Sequence, residues 1–210
     1  MNITDHQGVS AIRRRAIALP RVWHSRLQVA VLLLGLLSPV AHADCTNDPD
    51  PWLTLSVAAR TGEQSQLACL LKRLGVNNHD PKDLWENTPL HLAARYDQAT
   101  MVEALLAAGA RIDQPNAASQ RPLKVAISAK ASDSAAALIL AGADIEAADD
   151  EGRTPLFWAV AEDDVSIANL LLQKGANAER VFTSGEKPST IRQYAQRRGN
   201  PAMLKLFAAP

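Results

Sequence analysis

Along the chain, apolar clusters recur at a fixed interval: Leu105-Leu106, then Leu138-Ile139-Leu140, then Leu170-Leu171-Leu172. Each is followed by a Gly-Ala pair, at Gly109-Ala110, Gly142-Ala143 and Gly175-Ala176, and preceded by a Pro-Leu pair. Those Pro-Leu pairs lie in Thr88-Pro89-Leu90, Arg121-Pro122-Leu123 and Thr154-Pro155-Leu156, and every landmark keeps a period of 33 residues. A shared period of this length is the mark of a stacked repeat. Each unit predicts two helices. The first starts at the proline, which has no N–H to leave unpaired at the first helical position, with Thr88 and Thr154 placed as N-caps. Ala93-Ala94, Ala126 and Ala159 leave room for helices to approach closely. The second, for example Thr100–Ala108, stops at the glycine, which accepts a left-handed C-terminal conformation without a Cβ clash. Short extended pieces, Ala110–Asp113, Ala143–Glu146 and Ala176–Glu179, then lead into turns rich in Asp, Asn, Gly and Ser. A helix pair of this kind has a face it cannot bury alone, so the units stack into an all-α solenoid with short hairpin-like loops.

The flanks read as caps. Trp52–Arg60 and Gln66–Leu74, ending at Gly75, mimic a unit whose Pro-Leu start is missing, and Ile191–Arg198 with Pro201–Ala209 make a last helix pair. Arg192, Gln193, Gln196, Arg197, Arg198 and Lys205 give that pair the polar outer face a terminal unit needs. The long connections are Asn77–Lys82 and Val181–Pro188, the second being the expected mobile finger. The organisation is a leader over 1–43, an N-terminal cap over 51–82, repeats over 83–115, 116–148 and 149–182, and a C-terminal cap over 183–210.

The leader is defined by charge. Arg13, Arg14, Arg15, Arg21 and Arg26 precede an uncharged stretch from Leu27 to Leu37, and Ala41-His42-Ala43 closes the segment. A basic start, an apolar middle and an A-x-A end describe a secretory signal peptide cleaved between Ala43 and Asp44. The apolar run is shorter than the roughly 20 residues a spanning helix needs. Asp44 before Cys45 argues against lipid attachment. Over the whole chain 22 basic residues balance 22 acidic ones. Without the leader's five arginines and one aspartate the balance is 17 to 21, or −4, which argues against a nucleic-acid partner. The two cysteines, Cys45 and Cys69, then stand in an oxidising compartment, where a disulfide is the default and two unpaired thiols the alternative. The bridge would close a loop of about 25 residues, worth roughly 3.5 kcal/mol.

Thr88-Pro89-Leu90-His91-Leu92-Ala93-Ala94, followed by Leu105-Leu106-Ala107-Ala108-Gly109-Ala110, resembles an ankyrin repeat, and Asp149–Leu156 resembles the turn and helix start of another. The middle unit departs from the pattern, with Arg121 for the threonine and Lys124 for the histidine. The resemblance covers 83–182 and implies a concave protein-binding face built from loop tips and the ends of the first helices. Carried over by position, the tip set is Leu84, Trp85, Asn87, Ala117, Ala118, Gln120, Asp150, Glu151 and Arg153. The helix-end set is Arg95, Tyr96, Ser128, Ala129, Ala161 and Glu162. Trp85, Tyr96 and Arg153 are the residue types that anchor interfaces, although Trp85 has the alternative of packing under the cap. Trp158 follows Leu92 and Val125 and reads as core, and Phe157, at the histidine position, reads as partly exposed.

No catalytic or metal-binding motif is present: no HExxH, no GxSxG, no Cys/His ligand spacing and no phosphate-cradling glycine loop. The acidic runs Asp149–Glu151 and Glu162–Asp164 fall at turns and read as solvated surface. The expectation is a non-enzymatic, cofactor-free and metal-free protein, monomeric on its own. Its role would be to hold another protein in the periplasm as adaptor, stabiliser or inhibitor. Exported bacterial proteins of this look include ones linked to catalase and peroxide protection and others that neutralise toxins. The rival readings are a structural envelope-binding protein and a metal-dependent hydrolase.

Overall fold

Proline at the first helical position sets the start of four inner helices, and the 33-residue period carries the rest. The computed structural model describes residues 45–183 and 188–208. After a short 3-10 turn at Cys45–Asn47 come helix pairs α1 (Pro51–Thr61) and α2 (Leu67–Leu74), α3 (Pro89–Arg95) and α4 (Ala99–Ala107), α5 (Pro122–Ser128) and α6 (Ser132–Leu140), and α7 (Pro155–Ala161) and α8 (Val165–Gln173). A two-stranded antiparallel ribbon, β1 (Val181–Thr183) with β2 (Pro188–Thr190), precedes the last pair, α9 (Ile191–Arg198) and α10 (Pro201–Phe207). Each first helix packs on the first helix of the next unit, and from α4 onward each second helix packs on the next second helix. The result is a two-layer, all-helical repeat solenoid.

Burial follows the period. Ala59, Ala93, Ala126, Ala159 and Ala195, one on each inner helix, are all 0% exposed. On the outer layer Leu105, Leu138 and Leu171 are likewise fully covered, as are Val102, Ala135 and Ala168. Each leucine or valine side chain so buried contributes roughly 1.5–3 kcal/mol, but only once the neighbouring units are in place.

The helix ends repeat as closely. Gly109, Gly142 and Gly175 lie at φ 91°, 92° and 92°, each with open space where a Cβ would go. At each, the glycine N–H bonds back to Leu106, Ile139 or Leu172, and the following alanine N–H reaches Leu105, Leu138 or Leu171. This pair of bonds is the Schellman closure. A second left-handed position lies between the helices of each pair, occupied by Asp97, Lys130 and Asp163 at φ 56°, 58° and 58°. Aspartate tolerates it better than lysine does.

Successive units are also tied by side chain to backbone. Arg111 N–H donates to Asn77 Oδ1 at 2.7 Å, Asp144 N–H to Asp113 Oδ1 at 3.1 Å, and Asn177 N–H to Glu146 Oε1 at 2.7 Å. At the amino end the cap does have a proline start. Asp50 accepts from Leu53 N–H at 3.2 Å just ahead of Pro51, so the missing Pro-Leu start is a Pro-Trp start. Cys45 and Cys69 are joined across a sequence separation of 24, and Arg73 donates to the Cys45 carbonyl at 2.7 Å beside the bridge.

Several expectations change. The pieces 110–113, 143–146 and 176–179 end in turns at 112–113, 145–146 and 178–179, closed by bonds such as Gln114 N–H to the Arg111 carbonyl at 3.2 Å. Thr154 occupies its N-cap position but makes no capping side-chain bond; it is buried against the stack, 1% exposed. The Val181–Pro188 connection is anchored at both ends as a ribbon, with Val181 opposite Thr190 and Thr183 opposite Pro188. Residues 184–187 at its tip lie outside the described residues, as do the leader and the Ala43–Asp44 cleavage position. Phe157 is buried rather than partly exposed, because Phe182, Tyr194 and Trp158 surround it at ring-centroid distances of 4.5, 4.9 and 5.3 Å.

Reducing the Cys45–Cys69 bridge, or replacing both cysteines by serine, is expected to cost about 3.5 kcal/mol, read as a lowered denaturant midpoint with helicity retained. Lys130→Gly should gain up to about 1 kcal/mol by relieving a left-handed lysine, whereas Gly142→Ala should lose about 1–2 kcal/mol; matched thermal melts of the two variants check the sign of each.

Candidate protein-binding surface

The surface is built from the loop tips upward. In each repeat the first polar residue of the tip clamps the loop by accepting two backbone bonds. Asp83 accepts from Trp85 and Asn87, both at 2.9 Å; Asn116 Oδ1 accepts from Ala118 and Gln120, both at 3.0 Å; Asp149 Oδ1 accepts from Glu151 at 3.2 Å and Arg153 at 2.9 Å. The turn passes through a left-handed residue at Glu86, Ser119 and Gly152, with φ 53°, 56° and 78°. Asn87 Oδ1 accepts from Asn116 Nδ2 at 3.0 Å, and the Ala117 N–H donates to the Trp85 carbonyl at 2.9 Å, so the first two tips are bonded to each other.

His91 fastens tip to helix. Thr88 N–H donates to His91 Nδ1 at 3.2 Å, which leaves the ring proton on Nε2, and Nε2 donates to the Gln120 carbonyl of the next unit at 3.0 Å. The imidazole is 0% exposed, and burial holds its pKa below the ordinary histidine value of 6.5, against the opposing pull of the Gln120 carbonyl and Asp83.

Two clefts run between the tips and the inner helices. The first, about 310 Å³, is lined by Trp52, Arg60, Lys82, Trp85, Arg95 and Tyr96, among others. Trp85 is 60% exposed, which settles its two alternatives in favour of the surface, and the Arg60 guanidinium sits 4.7 Å from the Tyr96 ring centroid. The second, about 280 Å³, is lined by Gln120, Arg121, Lys124, Asp150, Arg153 and Trp158, with further residues of the neighbouring tips. Here Trp158 has a second role beside its core packing. Like Leu92 at the same place in the first repeat it is half-buried and packed against the core, with its indole nitrogen covered, while its remaining face lines the cleft. Lys124 and Arg153 pack on its ring at 4.3 and 4.8 Å, a cation–π arrangement. Burial lowers the Lys124 pKa from its usual 10.5 and the neighbouring Arg153 adds to this, while Asp149 and Glu162 oppose it. Arg153 itself is engaged, by Asp149 at 2.8 Å and Glu151 at 2.7 Å.

Of the nominated contacts, Trp85, Asn87, Arg95 and Tyr96 meet in the first cleft, and Ala118, Gln120, Asp150, Glu151 and Arg153 in the second. Leu84, 91% exposed, and Glu162, paired with Lys130 at 3.5 Å, line neither. Ala117, Ser128, Ala129 and Ala161 also lie outside both linings. Trp52, Arg60, Lys124 and Trp158 were not foreseen. For Lys124 the signal was present, as the repeat's departure from histidine directly before a unit carrying tryptophan. Asp163 and Asp164 are occupied structurally: Asp163 accepts from Arg198 and from Asn200 at 3.2 Å, and Asp164 from Ser132 at 2.7 Å and Ser166 at 2.6 Å. Among the described residues no three metal-ligating side chains cluster, and no helix is long and apolar enough to cross a membrane.

A sequence model of ankyrin repeats matches residues 25–116, 55–149 and 115–182. The chain belongs to the ankyrin-repeat family. It is also 48% identical over 46 residues to human neurogenic locus notch homolog protein 4, a match covering 22% of this chain and only 2% of that protein. Ankyrin repeats are protein–protein interaction modules, and this ankyrin chain carries its two clefts beside the loop tips.

The buried neutral His91 sets a pH dependence. Its folded pKa lies below 6.5, so the unfolded chain takes up the proton first. Its contribution is therefore complete above about pH 6.5 and is lost as pH falls toward the folded value. Denaturant midpoints should drop between pH 7 and 5. His91→Gln should be less stable at pH 7 by about 1–2 kcal/mol and show a flatter profile across that interval.

Proposed function

We propose that this ankyrin protein is exported to the periplasm of a bacterium and acts there as a non-enzymatic binding partner: an adaptor, stabiliser or inhibitor of another protein. The observation that carries the reading is the pair of aromatic–cationic clefts along the loop tips, in a repeat family whose established use is protein binding. Trp, Tyr and Arg concentrate binding energy because they cover large areas with few rotatable bonds and keep a polar handle. The rigid tips add to this, since clamped loops lose little entropy on binding. Export is supported by the arginine-led apolar leader ending at Ala43 and by a cysteine pair suited to an oxidising compartment. A role beside catalase in peroxide protection, or in neutralising a toxin, is compatible with such a surface, and no residue favours one over the other.

Replacing Trp85, Tyr96 and Arg153 together by alanine should abolish partner capture by the tagged, exported protein while circular dichroism remains native. A typical loss at one such anchor is about 1–4 kcal/mol, so the triple variant should recover no partner in pull-downs quantified by mass spectrometry. Undiminished capture would place the interface on another face.

A further inference from the structure

The two clefts differ in one respect that bears on what each can hold: whether their cations are already spent. In the second cleft Arg153 is paired with Asp149 and Glu151, and Arg121 with Asp144 at 3.0 Å. In the first, Lys82 is paired with Asp50 at 3.4 Å, but Arg60 and Arg95 have no carboxylate within ion-pair distance among the described residues. The acids that line this cleft do not answer them. Both oxygens of Asp83 are taken up by the Trp85 and Asn87 N–H groups, and Asp80 accepts from the Lys82 N–H at 2.8 Å. Arg60 rests instead on the Tyr96 ring, a contact that leaves its donors available. Both arginine side chains are exposed, beside a tryptophan with most of its surface in water.

From this juxtaposition we infer that the first cleft seats an acidic segment of the partner protein, a carboxylate side chain next to an aromatic or aliphatic one. The inference rests on the concave face being the binding surface. Two guanidinium groups with unspent donors match a carboxylate in charge and in planar fork geometry. Trp85 and Trp52 offer the flat apolar area for the neighbouring side chain. A polyanionic nucleic acid fits less well. It would run from two arginines into tips carrying Asp149, Asp150 and Glu151, on a chain that is net acidic without its leader.

The test uses the leaderless protein from Asp44 with its disulfide intact, and as probe a short fluorescent peptide of alternating glutamate and phenylalanine. Its twin carries glutamine for every glutamate, and a single-stranded oligo-thymidine is the third ligand. The acidic peptide should bind at least roughly tenfold more tightly than its twin and lose that advantage in Arg60→Gln/Arg95→Gln. Arg60→Lys/Arg95→Lys should retain part of it, and affinity should fall with added salt. Because both arginines are exposed, the variants should melt as the parent does; a variant that does not is replaced by the single Arg95→Gln. Equal binding of the two peptides, no binding of the acidic peptide at millimolar concentration, or tighter binding of the oligo-thymidine would overturn the inference. If partner capture is lost on replacing Trp85, Tyr96 and Arg153 yet survives Arg60→Gln/Arg95→Gln, the concave face stands and the acidic segment falls.

Discussion

The structure depends on how closely the inner helices can approach, and a column of alanines sets that distance. Ala59, Ala93, Ala126, Ala159 and Ala195 are each fully covered in the stack. A larger side chain at any of them would wedge neighbouring units apart, and an interior packed to crystal-like density has little slack to absorb it. Close stacking has a consequence far from the alanines: it brings successive tips within hydrogen-bonding reach. The Asn87–Asn116 bridge and the His91–Gln120 bond exist only at this spacing. The clefts are thus a by-product of small residues on the inner helices, since a loosely stacked array would have separate tips and no continuous floor.

Polar residues in this protein are mostly spent on geometry rather than chemistry. Asp83, Asn116 and Asp149 accept from the residues two and four places further on. Asn77, Asp113 and Glu146 hold the next unit's backbone. An acid whose oxygens are already accepting backbone N–H bonds is a poor candidate for acid–base work, because its protonation would cost the loop its clamp. This explains how a chain with many carboxylates at its tips supports a reading as a binding module. Exposed donors that are not spent in this way, on Arg60 and Arg95, acquire their meaning against that background.

Much of the architecture was legible in the sequence because its signals are local and repeat. Pro89, Pro122 and Pro155 mark helix starts, and Gly109, Gly142 and Gly175 mark ends, each for a backbone reason that needs no knowledge of the neighbours. The pairing of Cys45 with Cys69 was also accessible, from their number and the export that the arginine-led apolar segment ahead of them led one to expect. What escaped depends on contacts between units. The left-handed tip position is visible at Gly152 but hidden at Glu86 and Ser119, whose residue types do not advertise it. Trp158 packs on the core as its place after Leu92 and Val125 implies, but its second role, as a cleft wall under Lys124 and Arg153, depends on side chains that the pattern does not bring together. The strands Val181–Thr183 and Pro188–Thr190 are held by contacts distant in sequence: the Phe157–Phe182–Tyr194 cluster and the Thr183 N–H bond to the Glu151 carbonyl at 2.8 Å.

The middle repeat shows how such an array distributes its weak points. It has Arg121 in place of the N-cap threonine and Lys124 in place of the bridging histidine. Ser134 replaces the aliphatic residue found at Met101 and Ile167, and its fully buried hydroxyl has no hydrogen-bond partner. A buried, unpaired polar atom of this kind costs about 1–3 kcal/mol, and each flanking repeat carries one as well, at Gln114 Oε1 and Trp158 Nε1. The departures from the repeat pattern, however, are concentrated in the middle unit, where the array can best carry them. Stability in a linear stack is the sum of each unit's own contribution and those of its interfaces, and an internal unit has two. Lys124 covers Trp158 of the following unit, and the Ser134 N–H is taken by Asp97 of the preceding one at 2.8 Å. The end units have one interface each and carry the devices that do not depend on a second: the disulfide at the amino end and the aromatic cluster at the carboxyl end. Reinforcement at the ends and tolerance in the middle follow from the same one-dimensional arithmetic.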